Sequence, residues 1–165
     1  KKVPEPKEQK AILNRRGQAI FDQEENLELM TISLRGLTQP IQDREQVISP
    51  EKMSYLLEAL QYFQSLLGME ISGIDYFPIA REIHFKINKG PTLWITSEKD
   101  YKEQIDKFKT IYEPAELEKE AISYIDLRIR EKVIYCPRGA SCRKKANEWY
   151  YSKITRFKIR RAGFR

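Results

Sequence analysis

The sequence predicts an α+β domain: a mainly antiparallel sheet with two main helices packed on one of its faces. Three observations predict it. Two segments carry apolar residues at three- and four-residue spacing, the helical period. Several short apolar segments, some alternating, are separated by turn residues. The 165-residue chain is 41 % hydrophobic and holds 9 Tyr, 7 Phe and 2 Trp, enough for a packed core and too many for a solvated polymer.

The elements follow in order. Residues 1–10 are polar with two prolines and read as a linker. Ala11-Ile12-Leu13 and Ala19-Ile20-Phe21 flank the turn Asn14-Arg15-Arg16-Gly17, a hairpin or meander start. An acidic loop, Asp22 to Asn26, precedes a partly alternating strand to Leu34 with Met30, Ile32 and Leu34 on one face. Residues 37–48 read as loop. Ser49 then caps a helix whose first position suits Pro50, because the missing N–H had no partner there. Met53, Leu56, Leu57, Leu60, Phe63 and Leu67 form its apolar stripe, and Gly68 is its left-handed stop.

Ile71 to Tyr76 is a strand. Ile83, Phe85 and Ile87 alternate with Glu82, His84 and Lys86 in the next one. Asn88-Lys89-Gly90 is a three-residue hairpin loop with Gly supplying positive φ, and Thr92 to Thr96 returns. Ser97 opens a second helix, with Asp100 three residues on. Its stripe is Tyr101, Ile105, Phe108 and Tyr112, and Pro114 stops it. Ile122 to Ile129 and Lys132 to Tyr135 are strands joined by a weak turn, a bulge or a continuous bend.

Charge is unevenly placed. The net charge is +6, yet residues 136–165 hold ten Lys/Arg and one acid while residues 1–135 hold 20 against 23. The body is therefore not read as a nucleic-acid-binding domain. The tail interleaves Trp149, Tyr150, Tyr151 and Phe157 with Arg143, Lys144, Lys145, Lys153, Arg156, Lys158, Arg160 and Arg161. That pattern suits a nucleic acid, an anionic lipid surface or another anionic polymer, or is a solvated extension. No apolar run is long enough for a membrane span and no signal peptide opens the chain, although an anchor upstream is compatible with a start that lacks Met.

Catalytic signatures are thin. His84 is the one His, expected solvated on the polar face of its strand, and no phosphate loop, nucleophile elbow or zincin motif occurs. No cofactor, metal or small-molecule substrate is implied, and the chain is read as non-enzymatic. Cys136 and Cys142 flank Pro-Arg-Gly-Ala-Ser, whose turn residues favour bringing the sulfurs together. They are either a disulfide, which closes a ring worth roughly 2 kcal/mol and requires an oxidising compartment, or two reduced thiols. The strand pair 122–135 lies near the end of the body, where a sheet edge offers unpaired backbone groups to a partner.

Tyr124-Ile125-Asp126-Leu127-Arg128, followed by Val133-Ile134-Tyr135, resembles the C-terminal signature of the bacterial cell-division family FtsQ/DivIB. Gly17-Gln18-Ala19-Ile20-Phe21, Leu34-Arg35-Gly36 and the later elements stand in the family's order over roughly residues 10–136. The resemblance implies the family's β domain at 11–136 and the end of a POTRA-like domain in 1–10, and leaves 137–165 as a basic extension. It further implies a single membrane helix upstream, an extracytoplasmic position that suits a disulfide, and a scaffold role in the divisome. Partners of the FtsB/FtsL type would add a strand to the last β-strand. The partner-binding residues carried over are Asp126, Leu127, Arg128, Ile129, Lys132, Val133 and Tyr135, with Arg128 pairing an acidic partner side chain. The charged Arg130-Glu131-Lys132, the Cys136–Cys142 loop and the basic tail depart from the family's common pattern.

Overall fold

A computed structural model of the chain describes residues 10–21, 29–36, 39–112, 121–140, 142 and 154–160. The elements are β1 (Lys10–Leu13), β2 (Ala19–Ile20), β3 (Leu29–Arg35), α1 (Pro50–Leu67), β4 (Ile71–Phe77), β5 (Glu82–Ile87), β6 (Thr92–Thr96), α2 (Tyr101–Tyr112), β7 (Ile122–Asp126), β8 (Ile134–Pro137) and β9 (Ile154–Arg160). The fold is α+β. One nine-stranded sheet runs in the order β2-β1-β9-β3-β4-β5-β6-β7-β8.

The sheet is mixed rather than purely antiparallel. β3–β4, β6–β7 and β1–β9 are parallel, and the other five neighbouring pairs are antiparallel. Parallel neighbours cannot be joined by a tight turn, so the chain must cross over the sheet between them. α1 makes the crossover from β3 to β4 and α2 the one from β6 to β7. These two crossovers run in the same direction, so the right-handed rule puts both helices on the same face.

Apolar side chains line that face in rows across the strands. Ile32, Ile74, Phe85, Leu93 and Ile125 are in register, as are Leu34, Tyr76, Ile83 and Ile95. All nine are buried. α1 covers them with Met53, Leu56, Ala59, Leu60 and Phe63, and α2 with Ile105 and Phe108. The Phe63 ring lies 6.1 Å from both Phe85 and Phe108, at the centre of the layer.

Local chemistry sets the helix ends. Ser49 Oγ accepts from Lys52 N at 3.3 Å, Pro50 is the first helical residue, and Gly68 closes α1 at φ 64 with its N–H on Gln64 O. α2 starts differently from the sequence expectation. Its cap is Asp100, whose Oδ1 accepts from Lys102 N at 2.8 Å, while Ser97 is buried in the preceding turn with its N–H on Arg81 O. Gln104 decides this geometry: it is buried and fastens the helix to β6 through Thr96 N and Thr96 O. The 88–90 turn also differs, since Lys89 rather than Gly90 takes positive φ, at 58°. Gly90 is required for space, because a Cβ there would meet Ile87 Cγ2 at 2.7 Å.

The C-terminal reading changes most. Residues 154–160, assigned from the sequence to a basic extension, form β9 between β1 and β3. Arg156, Lys158 and Arg160 are register positions inside the sheet, opposite Ser33, Thr31 and Leu29 of β3. The sequence does carry a period of two here, Arg156-Phe157-Lys158-Ile159-Arg160, hidden by its high charge. Arg143, Lys144, Lys145, Lys153 and Arg161 lie outside the described residues, as do residues 1–9 of the expected linker. No helix among the described residues is long and apolar enough to cross a membrane.

Candidate functional site

The two ends of the sheet are not equivalent. At one end β2 is closed off by residues 44–46: Ala19 N donates to Glu45 O at 2.9 Å, Arg44 N donates to Ala19 O at 2.7 Å, and Gln18 bridges Gln46. At the other end β8 pairs with β7 alone among the described residues. An edge strand turns alternate backbone N–H and C=O groups away from its neighbour, where another strand can take them. Ile134 and Tyr135 on this strand are 44 % and 51 % exposed, and Ile129 just before it is 43 % exposed. Pro137, without an N–H, ends the open run.

The strand expected to continue to Ile129 stops at Asp126, and residues 127–133 form a loop. Two lysines hold its backbone. Lys107 Nζ, from α2, donates to the carbonyls of Leu127 (2.7 Å), Ile129 (2.6 Å) and Arg130 (3.4 Å). Lys99 Nζ donates to Arg128 O at 2.7 Å. Burial first, and the neighbouring Lys99 charge second, push the Lys107 ammonium below its usual pKa. The carbonyls near residue 130, read from the sequence as open to a guest, are thus engaged by the chain itself. The open backbone lies further on, at 134–136.

Arg128 has an internal role as well. Its Nε and NH2 donate to Asp126 Oδ1 and Oδ2 at 2.8 and 2.6 Å, and NH1 to Glu82 Oε1. Its guanidinium also sits 5.3 Å from the Trp94 ring centroid. Glu82 Oε2 accepts from His84 Nε2 at 3.1 Å. Burial pushes both carboxyls up, but hydrogen bonds and charge win. Arg128 holds Asp126 below the usual range, and His84 with Arg128 does the same for Glu82. The expected pairing of Arg128 with a partner's carboxylate gives way to this pair of its own.

The remaining site residues divide by exposure. Asp126 and Leu127 are buried, Leu127 in the core and Asp126 on the face of His84 and Trp94. Val133 is half-buried against the core, Lys132 is exposed, and Tyr135 extends the helix-side apolar layer to the rim through its register with Ile125. Ile134, quoted within the resemblance, was not among the carried-over partner-binding residues. Its signal was the alternation Val133-Ile134-Tyr135, which puts an apolar residue on each face of a strand at an edge. Lys99, Lys107 and Glu82 had no signal, since their partners are far away in the chain.

The sheet face away from the helices carries an aromatic ladder. The His84 and Trp94 rings stack at 4.5 Å and 6°, Trp94 and Tyr124 at 3.9 Å and 4°, and Phe77 tilts against His84 at 4.5 Å. His84, expected in solvent, is 3 % exposed. The polarity of its strand neighbours gave no hint that rings on β4 and β6 would enclose it. Beyond Tyr124, Cys136 and Cys142 form a disulfide, and a cavity of about 410 Å³ lies between ladder and disulfide. Compared with known proteins, the chain matches no family model and no curated protein.

Proposed function

We propose that this chain is a non-enzymatic scaffold domain that binds a partner polypeptide by strand addition at β8. The reading follows the resemblance to FtsQ/DivIB, so FtsB/FtsL-type proteins are the partners to test. In that setting an upstream helix anchors the domain on the outer side of the cell membrane. The observation that carries the proposal is the asymmetry of the sheet: β2 is closed by residues 44–46, while β8 is paired on one side among the described residues and exposes Ile134 and Tyr135. A guest strand there gains ladder hydrogen bonds from 134–136 and apolar contact on both sides, with Tyr135 on the helix side and Ile134 on the other.

The test uses the exposed residues, because replacing Arg128, Asp126 or Leu127 perturbs the fold. Ile134→Arg and Tyr135→Arg are expected to keep the circular dichroism of the parent and to weaken capture of FtsB/FtsL-type protein at least about tenfold. Partner peptides N-methylated at alternate positions then separate strand addition from other contacts. One phase of methylation blocks binding and the other spares it. Equal binding by both phases, or unchanged capture by both variants, removes the proposal.

A further inference from the structure

We propose that the Cys136–Cys142 disulfide is a thiol–disulfide exchange site, that a dithiol attacks it at Cys142, and that its reduction loosens β8. The final consequence, loss of docking, rests on the strand-addition reading; the exchange and the loosening do not.

The two cysteines are unequally placed. Cys136 is 2 % exposed within β8, whereas Cys142 is exposed. A nucleophile must approach along the S–S axis, so the exposed sulfur takes the attack and the buried one leaves. The ring between them is cationic at Arg138, which favours thiolates, both attacking and departing. Both cysteines also line the cavity beside Tyr124 and Ser123. In the reaction a thiolate of the dithiol bonds to Cys142 Sγ. The Cys136–Cys142 bond breaks and its electron pair leaves on Cys136 Sγ, which takes up a proton. The second thiolate of the reagent attacks its own sulfur in the mixed disulfide and expels Cys142 Sγ, which is protonated in turn. The domain gains two electrons and two protons, and the dithiol becomes a disulfide.

β8 is placed to depend on such a clasp. It has four residues and, among the described residues, one neighbouring strand, and its pairing with β7 shifts register between Ile122 and Tyr124. Beyond it the chain is fixed by the turn bond from Ala140 N to Pro137 O and by Arg138 N on Ala121 O. The disulfide ties this return to the strand itself, and it limits fraying from the Pro137 end.

The test is hydrogen exchange on the full chain, with dithiothreitol as the probe. On reduction, amides of 133–138 are expected to exchange at least about tenfold faster, with α1 unchanged. Cys142→Ser reproduces this without reductant and no longer responds to it. Limiting glutathione followed by alkylation is expected to leave the adduct on Cys142. Unchanged exchange at 133–138, equal loss of protection in α1, or an adduct on Cys136 each overturns the proposal. Faster exchange at β8 with partner capture undiminished supports the clasp and instead overturns docking at β8.

Discussion

Replacing Arg128 by Met separates its ion pairs from its packing. The methionine keeps an apolar contact for Trp94 but strips Asp126 and Glu82 of their shared cation. Their side chains are 9 % and 17 % exposed, and that of Arg128 is 27 % exposed. Breaking a buried pair by removing one partner costs roughly 3–5 kcal/mol, so with this partial exposure the cost here is about 3 kcal/mol at pH 7. For a chain of this size that lowers Tm by about 6–12 °C. The pH dependence identifies the cause. In the parent both carboxyls are held below their ordinary values of 3.8 and 4.5. Their stabilisation is therefore present above those values and is lost as pH falls through the lower folded ones. In the variant burial acts without Arg128 to oppose it and only His84 remains to hold the charges, so both carboxyls titrate higher than in the parent and acid relieves the stranded charges while the parent gains nothing. The deficit is expected to be full at pH 7 and to shrink at pH 4. Urea denaturation at the two pH values, with the disulfide intact, measures it. A deficit that stays undiminished at pH 4 refutes the ion-pair reasoning and assigns the loss to packing on Trp94.

Lys107→Met removes the ammonium from the carbonyls of Leu127, Ile129 and Arg130. It is expected to cost about 1–2 kcal/mol and to speed exchange in 127–133 before the rest of the sheet; equal protection in that loop counts against the lysine clamp. Ser49→Ala is expected to cost about 1 kcal/mol of unfolding free energy, read as a lower denaturant midpoint, by leaving Lys52 N without its cap.

The long helix was legible because everything that defines it is local. Its cap, first proline, stripe and stop all lie between Ser49 and Gly68. The two-faced strand β5 was legible too, and its apolar face does meet the helices. What the second face meets was not. His84, Trp94 and Tyr124 become one stack only after β5, β6 and β7 are placed side by side. Asp100 displaced Ser97 as the α2 cap because Gln104 has to reach Thr96, a contact with no local signature. Of the backbone expected to be open near residue 130, the carbonyls of residues 127–130 are held by Lys99 and Lys107, whose approach has no signature in the local sequence.

Sequence alone determined the α+β class, the α1 boundaries and the apolar faces of β3 and β5, since each follows from spacing along one segment. Tertiary structure decided which strands run parallel, that 154–160 belongs inside the sheet, and that Arg128 is spent on Asp126 and Glu82. Those outcomes depend on which distant groups become neighbours. A guanidinium or a strand edge has the same local pattern whether its partner is its own chain or another.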